Sequence, residues 1–385
     1  MGASLADPDP ATLERVERLL LRIRAAIAEA GGVLAFDRYM ALCLYESELG
    51  YYTGPQAIFG ASGDFITAPE SGDLFAECVA RQCADLLETD AAIIEYGAGS
   101  GRLAAALLAS GCASGRYVIV EPSARLAARQ RELIARAVPA ALARVEWQRE
   151  HAPAGVRGVV LANEVLDAMP VKRFVVRDGV PRELGVACDG AHLVMRELGR
   201  AEATWPAALE QACAGLPDGY VSECNPALPA WTRALRAALA AGVVLVSDYG
   251  YPRHEYLHPS RVAGTLKCHY RHHVHDDPLF LPGAQDVTAA VDFTALAEAA
   301  VAAGFTVAGY TTQAHFLLAC GLETELALAA DSVQRYRLAQ EAKRLLLPGE
   351  MGQTCKFMAF ACGREIGALR GFAHDERHRL SGFSR

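Results

Sequence analysis

No stretch of the 385-residue chain reaches the roughly 18 consecutive apolar residues that a membrane span requires. Membrane insertion is therefore not expected. Met1–Pro10 is acidic and proline-containing, where a leader would be basic and then apolar. The mature protein is accordingly read as starting near Met1, with neither an export nor a mitochondrial address. Long blocks of lysine or arginine are also missing, and the formal net charge is −8. Polyanions find no broad surface, so nucleic acid is not expected as a partner. The eleven cysteines are odd in number and none stands in a CxxC pair. That spacing excludes zinc-ribbon and thioredoxin-like sites and fits a reducing, cytoplasmic setting. What the chain does have is apolar mass: 52% of its residues are hydrophobic, enough for the core of one large or two interlocked domains.

Apolar periodicity organises the chain. Leu13, Val16, Leu19, Leu20, Ile23 and Ile27 recur at helical spacing over Thr12–Ala30, with Thr12 as N-cap and Gly31-Gly32 as the stop, giving a lid or packing helix. Phe36–Tyr52 is rich in aromatics, the glycine-studded Gly50–Gly72 lacks a clean period and reads as a structured loop, and residues 1–73 read as an N-terminal helix and lid segment. From residue 74 helices alternate with short apolar strands at Ala91–Tyr96, Arg116–Glu121, Arg144–Trp147, Gly158–Asn163, Gly242–Asp248, Thr306–Tyr310 and Thr354–Ala361. The expected fold class is α/β, a Rossmann-like seven-stranded sheet carried by residues 74–170 and 242–362, with helices on both faces. Two insertions interrupt it. Residues 171–241 begin with the alternating runs Arg173–Val176, Arg182–Val186 and His192–Met195 of an antiparallel insert and end in a helix; residues 251–290 show almost no period. Both follow strand C-termini, where open sheets place ligands. Residues 363–385 form a C-terminal tail.

The first of these strands, ending Ile93-Ile94-Glu95-Tyr96, runs into Gly97-Ala98-Gly99-Ser100-Gly101 and then a helix from Arg102. Gly97, Gly99 and Gly101 let the backbone turn with positive φ and approach a ligand, and the helix start offers free N–H groups. A dinucleotide fingerprint would need glycine where Arg102 stands, so GxGxG preceded by Glu95 favours the zwitterionic amino-acid end of S-adenosylmethionine over a pyrophosphate. The next strand ends in Glu121, the place for a carboxylate that accepts both ribose hydroxyls. Gln148–His151, after the third strand, flank the adenine by topology or form an ordinary polar loop.

Many ordered segments resemble the MidA-like family of methyltransferases: Gly50-Tyr51-Tyr52, Gly63-Asp64-Phe65-Ile66-Thr67-Ala68-Pro69-Glu70, Asn163-Glu164-Val165-Leu166-Asp167-Ala168-Met169-Pro170, Asp248-Tyr249-Gly250, Gly264-Thr265-Leu266, Asp286-Val287-Thr288, Val291-Asp292-Phe293 and Lys356-Phe357. The resemblance covers about Phe36 to Phe360. It implies a class I methyltransferase using S-adenosyl-L-methionine and methylating arginine of a protein substrate, with a respiratory complex I subunit of the 49-kDa type and symmetric dimethylation as the corresponding expectation. It also implies that the segment with Asp64, Phe65 and Thr67 folds over the cofactor, Asp64 near the methionine moiety and Phe65 shielding the sulfonium. Two departures are visible. Ala98 and Ser100 alter the family's cofactor turn without touching its glycines, and Ala290 stands where a histidine is common.

An arginine substrate needs carboxylates that hold the planar, always-protonated guanidinium. Glu164 and Asp167, just past the fourth strand, are the expected catalytic clamp, with Asn163 shaping the turn; the alternative is that Asp167 caps the next segment and Glu164 makes a salt bridge. Asp248 and Tyr249, ending the fifth strand, are expected at the substrate wall. No metal is expected: His269, His272, His273 and His275 lack a partner cysteine or carboxylate in a recognised pattern and read as a solvated or partner-facing loop. Tyr39, Tyr45, Tyr51 and Tyr52 either line a peptide groove or pack under the loop. A small-molecule methyltransferase and a non-catalytic assembly factor of the same fold remain the alternative functions.

Overall fold

The computed structural model describes residues 8–55, 67–112, 114–198 and 204–380. The chain divides into two compact units. The first, the sheet unit, comprises Ile66–Leu166, Leu228–Arg253 and Val291–Arg385; the second comprises Met1–Phe65, Asp167–Ala227 and His254–Ala290.

Seven strands build the sheet unit: β1 (Ala92–Tyr96), β2 (Tyr117–Val120), β3 (Val145–Gln148), β4 (Val156–Asn163), β5 (Leu239–Tyr251), β6 (Thr306–Thr312) and β7 (Cys355–Cys362). Their spatial order is β6-β7-β5-β4-β1-β2-β3. Neighbours from β5 to β3 pair in parallel, and β7 runs antiparallel to both β5 and β6. All seven expected strands are present, with ends moved by a few residues. Ile93, Ile94, Val159, Val160, Val243 and Val244 are completely buried. Helices cover both faces of such a sheet, which is why its central strands read as continuous apolar runs without alternation. A two-residue strand, Val291–Asp292, extends the pairing beside the end of β5.

Helix Leu74–Leu86 has Asp73 at its N-cap, and the Asp73 side chain makes no capping hydrogen bond. The Leu74 N–H donates instead to Oε1 of Glu341, at 2.6 Å, a carboxylate 267 residues away on helix Ser332–Leu346. Gly72 makes room for it, since a Cβ there would stand 2.0 Å from Glu341 Oε2. A helix start that finds its acceptor in another helix leaves no local signature.

In the second unit, helix Pro10–Glu29 buries Val16, Leu19, Ile23 and Ile27 along one face. Its N-cap is Asp9, not Thr12: Asp9 Oδ1 accepts the Thr12 N–H at 2.9 Å, and Pro10 occupies the first helical position, which needs no N–H. The aromatic-rich segment starts with a helix, Phe36–Tyr45. Lys172–Arg177, Val180–Asp189, His192–Glu197 and Val221–Cys224 pair antiparallel in one sheet, with Val33–Ala35 at its edge. The stretch without period, 251–290, holds a second small sheet of Lys267–Tyr270, His273–His275 and Asp286–Thr288. Strands of three or four residues are too short to display a period. Arg271 and His272 form the exposed hairpin turn of that sheet, and His273, also exposed, opens the next strand. Tyr39 and Tyr51 are fully buried, while Tyr45 stacks on Tyr52 with ring centroids 5.6 Å apart.

Candidate active site

At the end of β1 the backbone passes through Gly97, Gly99 and Gly101 with φ of +60°, +54° and +87°. Glycine adopts this left-handed region without steric cost. The Gly97 N–H donates to Val120 O at 3.0 Å, fastening the turn to the end of β2. Helix Arg102–Ser110 starts at once, so its first amides have no partner within the helix. Glu121 follows β2 on the same rim and is buried. Its Oε1 accepts the Ser123 N–H at 3.0 Å and its Oε2 accepts Gln130 Nε2 at 3.0 Å. Burial pushes the Glu121 carboxyl above its ordinary value, against the pull of those two donors.

Gln130 was not singled out by the sequence reading. Its Nε2 also donates to Gly99 O at 3.0 Å, and its Oε1 accepts Trp147 Nε1 at 3.1 Å. One buried amide thus joins the glycine turn, the Glu121 carboxylate and the end of β3. A signal existed: helix Ala124–Ala137 buries only Leu126, Gln130 and Ile134, so a polar residue sits in the middle of its apolar stripe.

Glu95 lies deeper. Its Oε2 accepts the Tyr117 hydroxyl at 2.6 Å, and both residues are buried. Burial raises the Glu95 carboxyl from 4.5 to about 7, the Tyr117 bond opposing and the Glu121 charge adding to the rise. A carboxyl whose folded value exceeds its unfolded one stabilises fully below pH 4.5, and that contribution is lost as pH rises through about 7. The loss is on the order of 3 kcal/mol. Glu95→Gln keeps the Tyr117 bond and removes the titration. Urea unfolding without cofactor is expected to find the variant equal to the parent near pH 4.5 and more stable at pH 8; parallel pH profiles would count against a buried, titrating Glu95.

Beyond β4 the chain turns sharply. Glu164 has φ +50°, a conformation few non-glycine residues hold, and its N–H donates to Ser247 O at 2.8 Å. Asp248, read from the sequence as a substrate-wall residue, has no exposed surface. Its Oδ2 accepts the N–H groups of Val165, at 3.2 Å, and Leu166, at 2.8 Å, and its Oδ1 accepts that of Tyr249, at 2.8 Å. Asp248 thereby locks the turn that presents Glu164. Glu164 Oε1 accepts the Ala68 N–H at 3.3 Å. Buried Thr67 opens the short helix Ala68–Ser71, whose Glu70 carboxylate accepts the Ser100 hydroxyl of the glycine turn. Asn163 Oδ1 is buried without a hydrogen-bond partner among the described residues. Tyr249 is half-buried and pairs with Cys355 across the sheet.

The sheet unit therefore carries Glu95, Gly97, Gly99, Gly101, Glu121, Asn163, Glu164, Asp248 and Tyr249 on or just after β1, β2, β4 and β5, and Thr67 at the start of helix Ala68–Ser71. Asp64 and Phe65 lie outside the described residues. Asp167 belongs to the second unit, where it is buried; burial raises its carboxyl to about 7, and its carbonyl accepts the Ala289 N–H at 2.9 Å.

The profile of a family of S-adenosyl-L-methionine-dependent methyltransferases matches residues 76–311, which include every part of this rim but Thr67. The chain belongs to the MidA-like methyltransferases. A Burkholderia thailandensis protein crystallised bound to S-adenosyl-homocysteine is 41% identical, covers 98% of this chain and all of its own, and superposes with a TM-score of 0.92. The protein arginine methyltransferase NDUFAF7 homolog, mitochondrial, of Drosophila melanogaster is 27% identical over 95% of this chain and 88% of its own length. The corresponding Rattus norvegicus protein is also 27% identical, over 91% and 86%. S-adenosyl-L-methionine is the cofactor of this family member and methyl transfer its reaction class. The residues fit that group. Three glycines keep side chains off one end of the rim, Glu121 supplies a carboxylate one strand away, and Asn163 holds an unpartnered acceptor.

Proposed function

We propose that this MidA-like methyltransferase methylates arginine side chains of a protein. The supporting observation is Glu164: a residue on a left-handed backbone at the end of β4, in a turn held by the buried Asp248, directly after Asn163, whose buried oxygen has no partner among the described residues. Guanidinium never loses its proton in water, so a nitrogen can attack only when a fixed carboxylate orients it and takes up the proton it sheds. Glu164 is that group in this reading, and Asn163 is a second acceptor for the guanidinium N–H array. Glu121 accepts the ribose hydroxyls of the cofactor, while the glycine turn receives its amino-acid end. The bound cofactor supplies an electrophilic methyl group on sulfur. The Drosophila and rat relatives, named as mitochondrial protein arginine methyltransferases, point the same way. A complex I subunit of the 49-kDa type, dimethylated symmetrically, is the substrate to try first.

A cytoplasmic setting belongs to the same proposal and rests on the eleven cysteines, all of them free thiols. Among the described residues no helix is long and apolar enough to cross a membrane. The test is methyl transfer from labelled cofactor into a cell lysate, followed by peptide mass spectrometry. Methylated arginine in defined peptides is expected. Label confined to small molecules would assign the enzyme to metabolites, and no transfer to any acceptor despite tight cofactor binding would make it a binding factor.

A further inference from the structure

The sheet unit carries a second cluster of chemistry-bearing side chains, at the far edge of the sheet. β6 is the edge strand, four strand spacings from β1, or about 19 Å. His315 sits in the first turn of helix Gln313–Ala319, directly after β6. The segment 370–380 lies along the same strand: Glu376 N–H donates to Tyr310 O at 2.7 Å, Asp375 Oδ1 accepts the Tyr310 N–H at 3.3 Å, and Arg377 Nη1 donates to Val307 O at 2.7 Å. These bonds hold Glu376 in place beside His315. Glu376 Oε1 lies 3.2 Å from His315 Nδ1 and 3.6 Å from His374 Nε2. The other oxygen, Oε2, accepts from Arg379.

We infer that His315, His374 and Glu376 form a binding site for a divalent transition-metal ion, Zn2+ by ligand type, which fastens the C-terminal segment to the edge of the sheet. Two imidazoles and one carboxylate are a zinc donor set, with bonds of about 2.0–2.2 Å. In a tetrahedral site such bonds place donor atoms about 3.3 Å apart, between the two separations measured to Glu376 Oε1. The three donor atoms lie within 4.8 Å of one another. The two imidazole rings converge, with centroids 4.1 Å apart and planes tilted by 54°. His315 and Glu376 are fixed by backbone bonds, so only His374 needs to settle around an ion; Arg379 steadies the carboxylate from its outer oxygen. The His269–His275 hairpin, the cluster that sequence spacing brings to notice, has no such converging carboxylate among the described residues. The site is one the spacing of 315, 374 and 376 cannot reveal, because the sheet edge brings its parts together.

The full-length, tag-free protein, stripped with chelator, is titrated with Zn2+ by calorimetry and with Co2+ by visible absorption. One equivalent is expected to bind, with Co2+ giving the strong bands of four-coordinate geometry and Zn2+ raising the melting temperature. His374→Ala changes an exposed residue and is expected to fold normally, to weaken Zn2+ at least about tenfold, and to lose the melting shift. His273→Ala is expected to change neither. Binding that is unchanged in His374→Ala, or lost in His273→Ala, overturns the site, as does a parent protein that binds no more Zn2+ than His374→Ala.

Discussion

Glu121→Ala is expected to weaken S-adenosylmethionine binding about 100-fold or more, measured by calorimetry on the purified protein. A hydrogen bond to a charged acceptor contributes about 1.5–3 kcal/mol, and two ribose hydroxyls meeting one carboxylate forfeit both. The carboxylate also organises the site, accepting from Ser123 and Gln130, so its removal loosens the turn as well. Gln130 keeps its bond to Gly99 O, which limits that second loss. Glu121→Gln separates the two contributions: the shape stays and the charge goes. Because burial raises this carboxyl, affinity in the parent is expected to fall on acidification, as the proton removes the acceptor, and to be flatter in Glu121→Gln. An affinity within tenfold of the parent for Glu121→Ala, in a protein that still melts cooperatively, would remove Glu121 from the cofactor site.

Glu164→Gln is expected to bind cofactor as the parent does and to lose turnover about 100-fold or more, in line with the removal of a general base. The substitution is isosteric, and its carbonyl can still accept the Ala68 N–H. Left-handed backbone at a non-glycine residue costs about 1–3 kcal/mol and persists only where the surroundings enforce it. Here Asp248 enforces it through Val165 and Leu166. Turnover that survives Glu164→Gln would place the proton acceptor elsewhere and leave the turn a purely structural feature.

The framework of this rim is legible in the sequence. The glycine turn and Glu121 follow from short-range rules: an apolar strand, a turn that only glycine tolerates, and an acid at the end of the next strand in a parallel sheet. The seven strands were legible because strands buried on both faces must be apolar throughout. The role of Asp248 was not. Strand-end position made it a substrate-wall residue, whereas the structure spends its carboxylate on three backbone amides. Position gives the rim; only the fold tells which of two rim carboxylates, Glu164 or Asp248, props up the other. The helix caps failed in the same manner, since Asp9 lay one turn outside the expected start and Glu341 lies 267 residues from the amide it caps.

The sequence by itself determined the sheet, the family and the positions of the glycine turn and the acid at the ends of β1 and β2, because these depend on residues within a few positions of one another. Tertiary structure decided what depends on contacts between distant segments. It brought Gln130 to both Gly99 and Glu121, Glu341 to Leu74, and His374 and Glu376 to His315. A hydrogen bond or a ligand set needs its atoms about 3 Å apart and is indifferent to how many residues separate them along the chain.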